Sequence, residues 1–273
     1  MEQRPQFRRA YILKEFNKLA DKIIKRTKVF MIGGGALAFY DLKEGTKDVD
    51  VIVQTPIELK ALSSALPTID YHIVIKPTRE YEEIGASIIV ENPDGFRWDI
   101  FHMQVMNALT LSKNMVSRST TIFKKRRLTV HQLSKEDLFV FKSITERPSD
   151  LEDMRAIAEA GLNWEIVLQE IVNQSDASGR LWENALYENL RELKNRYGIA
   201  SPIEKKVENI LAQKLDELEV VRQIKNGKKT VNGIATNSEE MSASLVRKAL
   251  KRLEEKGKIT IDRKKRPFVI HLE

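Results

Sequence analysis

The run Val49-Asp50-Val51-Ile52-Val53, entered through Asp48, constrains this chain more than any other stretch. Its β-branched aliphatic residues read as a buried strand. On a strand, residues i and i+2 share a face, so Asp48 and Asp50 aim at one spot. Like charges cannot sit closely there without a neutralising cation. An Asp-x-Asp at a strand end is ordinarily a solvated edge or a turn. Here the apolar flanks argue against solvent, and the pair reads as metal ligands.

A third carboxylate extends the pattern. Residues 86–91 read as a strand, Asn92-Pro93-Asp94-Gly95 as a turn and residues 96–101 as the returning strand. Asp99 stands between large apolar residues on that second strand. Three oxygen ligands of this kind suit a hard cation such as Mg²⁺. Two such ions, about 3.5–4 Å apart, would clamp the attacking and leaving oxygens of a phosphoryl displacement. Gly33-Gly34-Gly35 lies about one helix upstream of the Asp pair.

Taken together, Ile32-Gly33-Gly34-Gly35-Ala36-Leu37, Thr46-Lys47-Asp48-Val49-Asp50-Val51-Ile52-Val53 and Trp98-Asp99-Ile100-Phe101 resemble the polymerase-beta-type nucleotidyltransferase superfamily. Within it the chain is most similar to the abortive-infection and toxin-like branch, which shares a GG-x-A … T-x-D-x-D pattern. The likeness runs on through Leu133-Ser134-Lys135-Glu136-Asp137-Leu138, Lys142, Arg147-Pro148 and Asp150-Leu151-Glu152-Asp153, and spans residues 8–175.

The resemblance implies an α+β fold, a mixed sheet with flanking helices, and a set of roles. Gly33 and Gly34, at the start of a helix over 36–42, would hold a nucleoside triphosphate together with Thr46. Bare glycines allow close approach, and a helix N-terminus favours anions. Asp48 and Asp50 would bind Mg²⁺ bridging the phosphates. Asp99 would complete the metal site and act as general base, or orient the acceptor hydroxyl. Lys142 would project from a helix toward the triphosphate. One departure is Gly34, where many superfamily members carry serine after the first glycine.

Other phosphate loops do not fit. The glycine run has neither the Gly-x-x-x-x-Gly-Lys-Ser/Thr arrangement of a P-loop nor the Gly-x-Gly-x-x-Gly spacing of a dinucleotide site. The histidines, His72, His102, His131 and His271, are scattered without i,i+4 pairing, and with no cysteine beside them they do not read as a zinc site. Lys142 on an amphipathic helix has a solvated alternative, and Asp150 and Asp153 read as capping chemistry after Pro148. Lys124-Lys125-Arg126-Arg127 is either a phosphate or RNA contact or a solvated hairpin turn.

Periodicity predicts helices over 8–26, 57–65, 135–145, 151–159, 164–174 and 181–196, with strands over 28–32 and 71–75. Residues 81–84 leave helix and strand open. Three domains follow: 1–132 with the carboxylates, a helical bundle over 133–200, and 201–273 as a winged helix-turn-helix. The last would comprise helices over 207–225 and 230–235, a third helix capped by Ser242, and a basic β-wing. Its third helix turns Val246, Leu250 and Leu253 inward and leaves Arg247, Lys248, Lys251 and Arg252 outside.

Charge sharpens that division. The net charge is +7, yet residues 1–200 carry 29 basic and 28 acidic side chains against 17 and 11 in 201–273. A basic helix and wing would meet RNA or DNA phosphates, although winged helices also dock proteins. No run reaches the ~18–20 apolar residues of a membrane span. The start of the chain lacks a signal-peptide core, and the absence of cysteine points to the cytoplasm. The expected activity is Mg²⁺-dependent transfer of NMP from an NTP to a hydroxyl on RNA (tRNA), on protein or on a small molecule. A toxin-like role would add an antitoxin partner. The alternative is a DNA-binding regulator whose nucleotidyltransferase-like domain only senses nucleotide.

Overall fold

The computed structural model describes residues 4–74, 88–105, 109–145, 147–236, 238, 241–265 and 267–273. Residues 81–84 and the beginning of the 86–91 strand lie outside them. The chain divides into two compact units, residues 1–202 and 203–273.

The first unit is built on a mixed sheet. Its strands are β1 (Thr27–Ile32), β2 (Asp48–Val53), β3 (His72–Ile73), β4 (Ile88–Glu91) and β5 (Arg97–His102). A short pair, β6 (Gln104–Val105) and β7 (Leu109–Thr110), stands apart, and β8 (Thr120–Lys125) and β9 (Leu128–Gln132) rejoin the sheet. The order is β3-β4-β5-β2-β1-β9-β8 among the described residues. β1 is antiparallel to β2 and parallel to β9, while β2 is parallel to β5. β2 thus runs through the middle of the sheet, which explains its aliphatic composition.

The period-2 rule then assigns the faces. Val49 and Val51 of β2, with Trp98 and Ile100 of β5, are fully buried on one side. Phe16, on helix α1 (Arg9–Lys22), meets the Trp98 ring edge-on at 5.5 Å. Each buried aromatic of this kind stabilises the fold by about 3–5 kcal/mol against alanine. Asp50 and Asp99 point to the opposite side.

Helices complete the unit: α2 (Gly33–Phe39), α3 (Pro56–Ala65), α4 (Lys113–Arg118), α5 (Lys135–Lys142), α6 (Pro148–Glu159), α7 (Trp164–Ser178) and α8 (Trp182–Tyr197). α3 begins with a full capping box, because Thr55 accepts from the Glu58 amide at 3.2 Å and Glu58 accepts from the Thr55 amide at 3.0 Å. The helices expected as a separate bundle belong to the same compact unit as the sheet. One reason is a buried ionic junction. Arg118 of α4 binds both Asp137 of α5 and Glu170 of α7, each at 2.5 Å, and both carboxylates are essentially sealed from water. Gln174 then bonds the backbone of Thr110 in β7 at 2.8 and 3.0 Å.

The tetrad 124–127 also finds partners within this unit. It closes β8 and makes the β8–β9 turn, with Arg126 at positive φ. Lys125 and Arg126 pair with Asp21 at 3.0 and 3.2 Å, and Arg127 donates to the Ile24 carbonyl. These contacts tie the turn to the end of α1.

The second unit contains α9 (Glu204–Lys225), α10 (Val231–Thr236), α11 (Ala243–Glu255) and the antiparallel pair β10 (Ile259–Asp262) and β11 (Val269–Leu272). Ser242 caps α11 through the Leu245 amide. Val220, Ile234, Val246, Leu250, Leu253 and Ile270 form its buried core. No helix among the described residues is long and apolar enough to cross a membrane.

Candidate active site

Register brings the sheet carboxylates together. Asp50 of β2 pairs with Asp99 of β5, and two residues earlier Asp48 pairs with Arg97. Adjacent strands in register put Asp50 and Asp99 side by side on one face, with Asp48 next along the same row. All three line a cleft of about 850 Å³.

The glycine turn reaches this row because β1 enters α2 without a loop. Gly33 carries φ +64°, and a Cβ there would lie 2.0 Å from Oδ2 of Asp50. A Cβ at Gly34 would meet Oγ1 of Thr46 at 2.8 Å. The bare backbone at 33 and 34 therefore lets β2 and its carboxylates close against the helix start. Thr46 is buried, and its Oγ1 lies 3.4 Å from Asp48 Oδ1.

Burial and neighbouring negative charge act together on Asp50 and Asp99. Burial, then the charges of Asp48 and Asp99, push Asp50 well above the usual carboxylate range. Burial and Asp48 raise Asp99 to about 7, against the opposing pull of Arg97, Arg4 and Arg147. Oδ1 of Asp99 is buried and has no hydrogen-bond partner among the described residues. An orphaned buried carboxylate oxygen is costly, and it points to a ligand.

A basic wall lines the same cleft. Lys142, at the end of α5, is held between Asp150 and Asp153 of α6, the latter at 2.8 Å. Lys43 reaches Asp153 at 2.9 Å, Arg147 reaches Asp150 at 2.8 Å, and Thr145 donates to Asp150. Burial pulls the Lys142 ammonium down, but Asp150 and Asp153 more than reverse it and leave it above the ordinary lysine value. Three cations thus share two carboxylates. Lys142 faces the cleft expected for it, with its charge already engaged.

Asp150 and Asp153 do more than cap a helix. Arg147 occupies the N-cap of α6 without a side-chain cap bond, Pro148 follows, and both carboxylates turn inward to the lysines. Lys43, Arg147 and Arg4 also line the cleft and carry no role in the sequence reading. Arg147 was part of the recognisable stretch. Lys43 and Arg4 come from loop and terminal segments that carry no periodic signal.

The donor set fits a hard divalent cation: carboxylate oxygens, one of them orphaned, beside groups able to bind phosphate. Among the described residues no three Asp, Glu or His side chains are already gathered into a coordination shell.

The basic residues of the second unit fall into two groups. Arg247 and Lys248 are exposed on α11 with no ion pair among the described residues, and Lys251 lies 3.8 Å from Glu255. Arg252, expected on the outer face with them, instead packs back on α9, where it binds Glu217 at 2.9 Å and Asp216 at 3.7 Å. Arg263, from the expected wing, is likewise taken up by Glu254 through two bonds of 2.6 Å.

The profile of a family described as "Nucleotidyltransferase of unknown function (DUF6036)" matches residues 10–199. No curated protein matches the chain. Among solved structures, one from H. pylori provisionally described as a nucleotidyltransferase aligns at 16% identity and a TM-score of 0.35. That alignment covers 77% of this chain and 97% of the other. It is too loose a likeness to define the fold.

Proposed function

The chain belongs to the nucleotidyltransferase family whose profile it matches, and from that premise we propose that it transfers a nucleoside monophosphate from an NTP to an acceptor hydroxyl. The observation that carries this reading is the in-register pairing of Asp50 with Asp99 beside Asp48, in a cleft also lined by Lys43, Lys142 and Arg147.

The residues divide the work by chemistry. Gly33, Gly34 and Thr46 would receive the triphosphate, with Lys142, Lys43 and Arg147 neutralising it from the basic wall. Asp48, Asp50 and Asp99 would hold Mg²⁺, as one ion or two. When bound, the metal supplies charge neutralisation at the phosphates and acidifies the attacking hydroxyl. The acceptor oxygen forms a bond to the α-phosphorus, the bond from that phosphorus to pyrophosphate breaks, and pyrophosphate leaves. Asp99 would take the hydroxyl proton or orient the acceptor hydroxyl. Positioning and charge stabilisation would supply most of the rate.

The GG-x-A … T-x-D-x-D pattern supports the abortive-infection and toxin-like branch as the finer placement, with RNA or protein as acceptor and an antitoxin as partner. Three helices followed by a β-hairpin support a winged helix-turn-helix in 203–273. Its exposed Arg247, Lys248 and Lys251 would contact RNA or DNA.

Incubation with each labelled NTP, Mg²⁺, total RNA and cell protein tests the reading. Label should move to one acceptor class with wild type and not with Asp48→Ala/Asp50→Ala. A DNA mobility shift with no transfer to any acceptor would favour a nucleotide-sensing regulator instead.

A further inference from the structure

Residues 4–7 form a strap outside the stretch that the family profile matches. Phe7 is buried, with its ring 4.9 Å from Phe96 and 4.5 Å from Tyr11. Its backbone exchanges two hydrogen bonds with Thr46, at 2.7 and 3.0 Å. A Cβ at Gly95 would lie 3.5 Å from the Pro5 ring, and a Cβ at Gly45 would press on the Phe7 carbonyl at 3.2 Å. The strap is therefore fixed to the loop that presents Asp48.

That anchoring delivers Arg4 into the cleft. Its guanidinium donates to the Lys47 carbonyl at 2.9 Å and stands 3.5 Å from Oδ2 of Asp48. The pair is long for an arginine–carboxylate contact, whose bonds usually fall near 2.7–2.9 Å. The Arg4 Nε–H is buried and has no acceptor among the described residues. An arginine with a stretched partner and an unsatisfied donor is not an optimised structural clamp. Its planar fork is the group best matched to a phosphate.

We propose that Arg4 is a phosphate ligand of the nucleotide site, held on Asp48 in the nucleotide-free protein and exchanged onto the triphosphate when a divalent cation takes Asp48. The proposal rests on the nucleotidyl-transfer reading and adds to it a residue and an order of events. Guanidinium and cation compete for one carboxylate, so either displaces the other. The freed guanidinium then finds phosphate oxygens within the same cleft, and its idle Nε–H gains an acceptor.

Calorimetric titrations of wild type, Arg4→Ala, Arg4→Lys and Asp50→Asn with Mn²⁺ alone, and with each ribonucleoside triphosphate in Ca²⁺, separate the possibilities. Arg4→Ala should bind Mn²⁺ several-fold more tightly, because its competitor is gone, yet bind the triphosphate about tenfold more weakly. Arg4→Lys should fall between, since it keeps charge without the fork. If Arg4→Ala binds triphosphate like wild type, or loses Mn²⁺ and triphosphate affinity in parallel, the exchange is wrong. Loss of both ligands in Asp50→Asn would then leave the parent reading standing. A wild type that binds neither ligand would overturn both.

Discussion

Asp50 and Asp99 are register partners on parallel strands, two carboxylates side by side on one face of the sheet. Neither position serves stability, because burial and the charge of Asp48 oppose the ionisation of both. Replacing Asp50 with Asn should leave the melting temperature unchanged or higher while nucleotidyl transfer falls by at least about 100-fold. Thermal melts beside a labelled-NTP assay test both halves. A variant that melts well below wild type would show that the carboxylate is structural.

The same row makes stability depend on pH. Asp99 stands at about 7 in the folded chain against 3.8 unfolded. A raised acid keeps its proton in the native state, so its contribution is fully present below pH 3.8 and is lost as pH rises through about 7. Relative to Asp99→Asn, wild type should therefore lose on the order of 2–4 kcal/mol between pH 4 and pH 8. Mg²⁺ should narrow that gap. Paired melts across this range, with and without Mg²⁺, give the result, and parallel curves would count against it.

Gly33 offers a sharper structural test. A methyl group at 33 would land 2.0 Å from Asp50 Oδ2, on a backbone already at φ +64°. Gly33→Ala should cost about 1–3 kcal/mol and displace Asp50, so activity and stability fall together. In Gly33→Ala/Asp50→Gly the clash is removed, and stability should recover in part while activity does not. Equal melting of the single and double variants would argue that φ alone sets the cost.

What the sequence could reveal follows from the range of each interaction. Asp48, Asp50 and Asp99 were legible because strand alternation is local and a four-residue turn, 92–95, joins β4 to β5. Helices α1, α3 and α5–α8 announced themselves through apolar spacing. Sheet order did not, since nothing local says that β2 lies between β1 and β5. The basic wall was hidden for the same reason: Lys43 meets Asp153 across more than a hundred residues. Lys142 looked free on its helix because its partners sit on the next one. Arg252 was misread because helical spacing puts it near the outer face, whereas its long side chain reaches back to Glu217 on α9.

Lys142 tests the wall itself. Its ammonium is buried between Asp150 and Asp153. Lys142→Met removes one cation and leaves two inward carboxylates to Lys43 and Arg147, which should destabilise the first unit by about 3 kcal/mol. Adding Asp150→Asn should restore part of that stability. Triphosphate binding should stay weak in both, so a double variant that recovers binding would take Lys142 out of the nucleotide site.

The division among basic residues on α11 yields the last prediction. Arg247 and Lys248 are exposed and unpaired among the described residues, whereas Arg252 spends its charge on Glu217 and Asp216. Phosphate contacts release counterions, so each lost contact lowers the salt slope of binding by about 0.9 on duplex DNA and about 0.7 on single strands. Arg247→Ala/Lys248→Ala should therefore weaken binding to RNA or DNA and reduce the slope by about 1–2, with no change in melting. Arg252→Ala should do the reverse. It breaks a half-buried pair that joins α11 to α9, so melting falls by several degrees while the slope of the folded fraction holds. Binding isotherms at several salt concentrations, run beside melts of the same preparations, distinguish the two outcomes. If both variants moved the slope equally, the ion pair with Glu217 would have to open on binding. If neither did, α11 would be a protein-docking surface and its positive charge incidental.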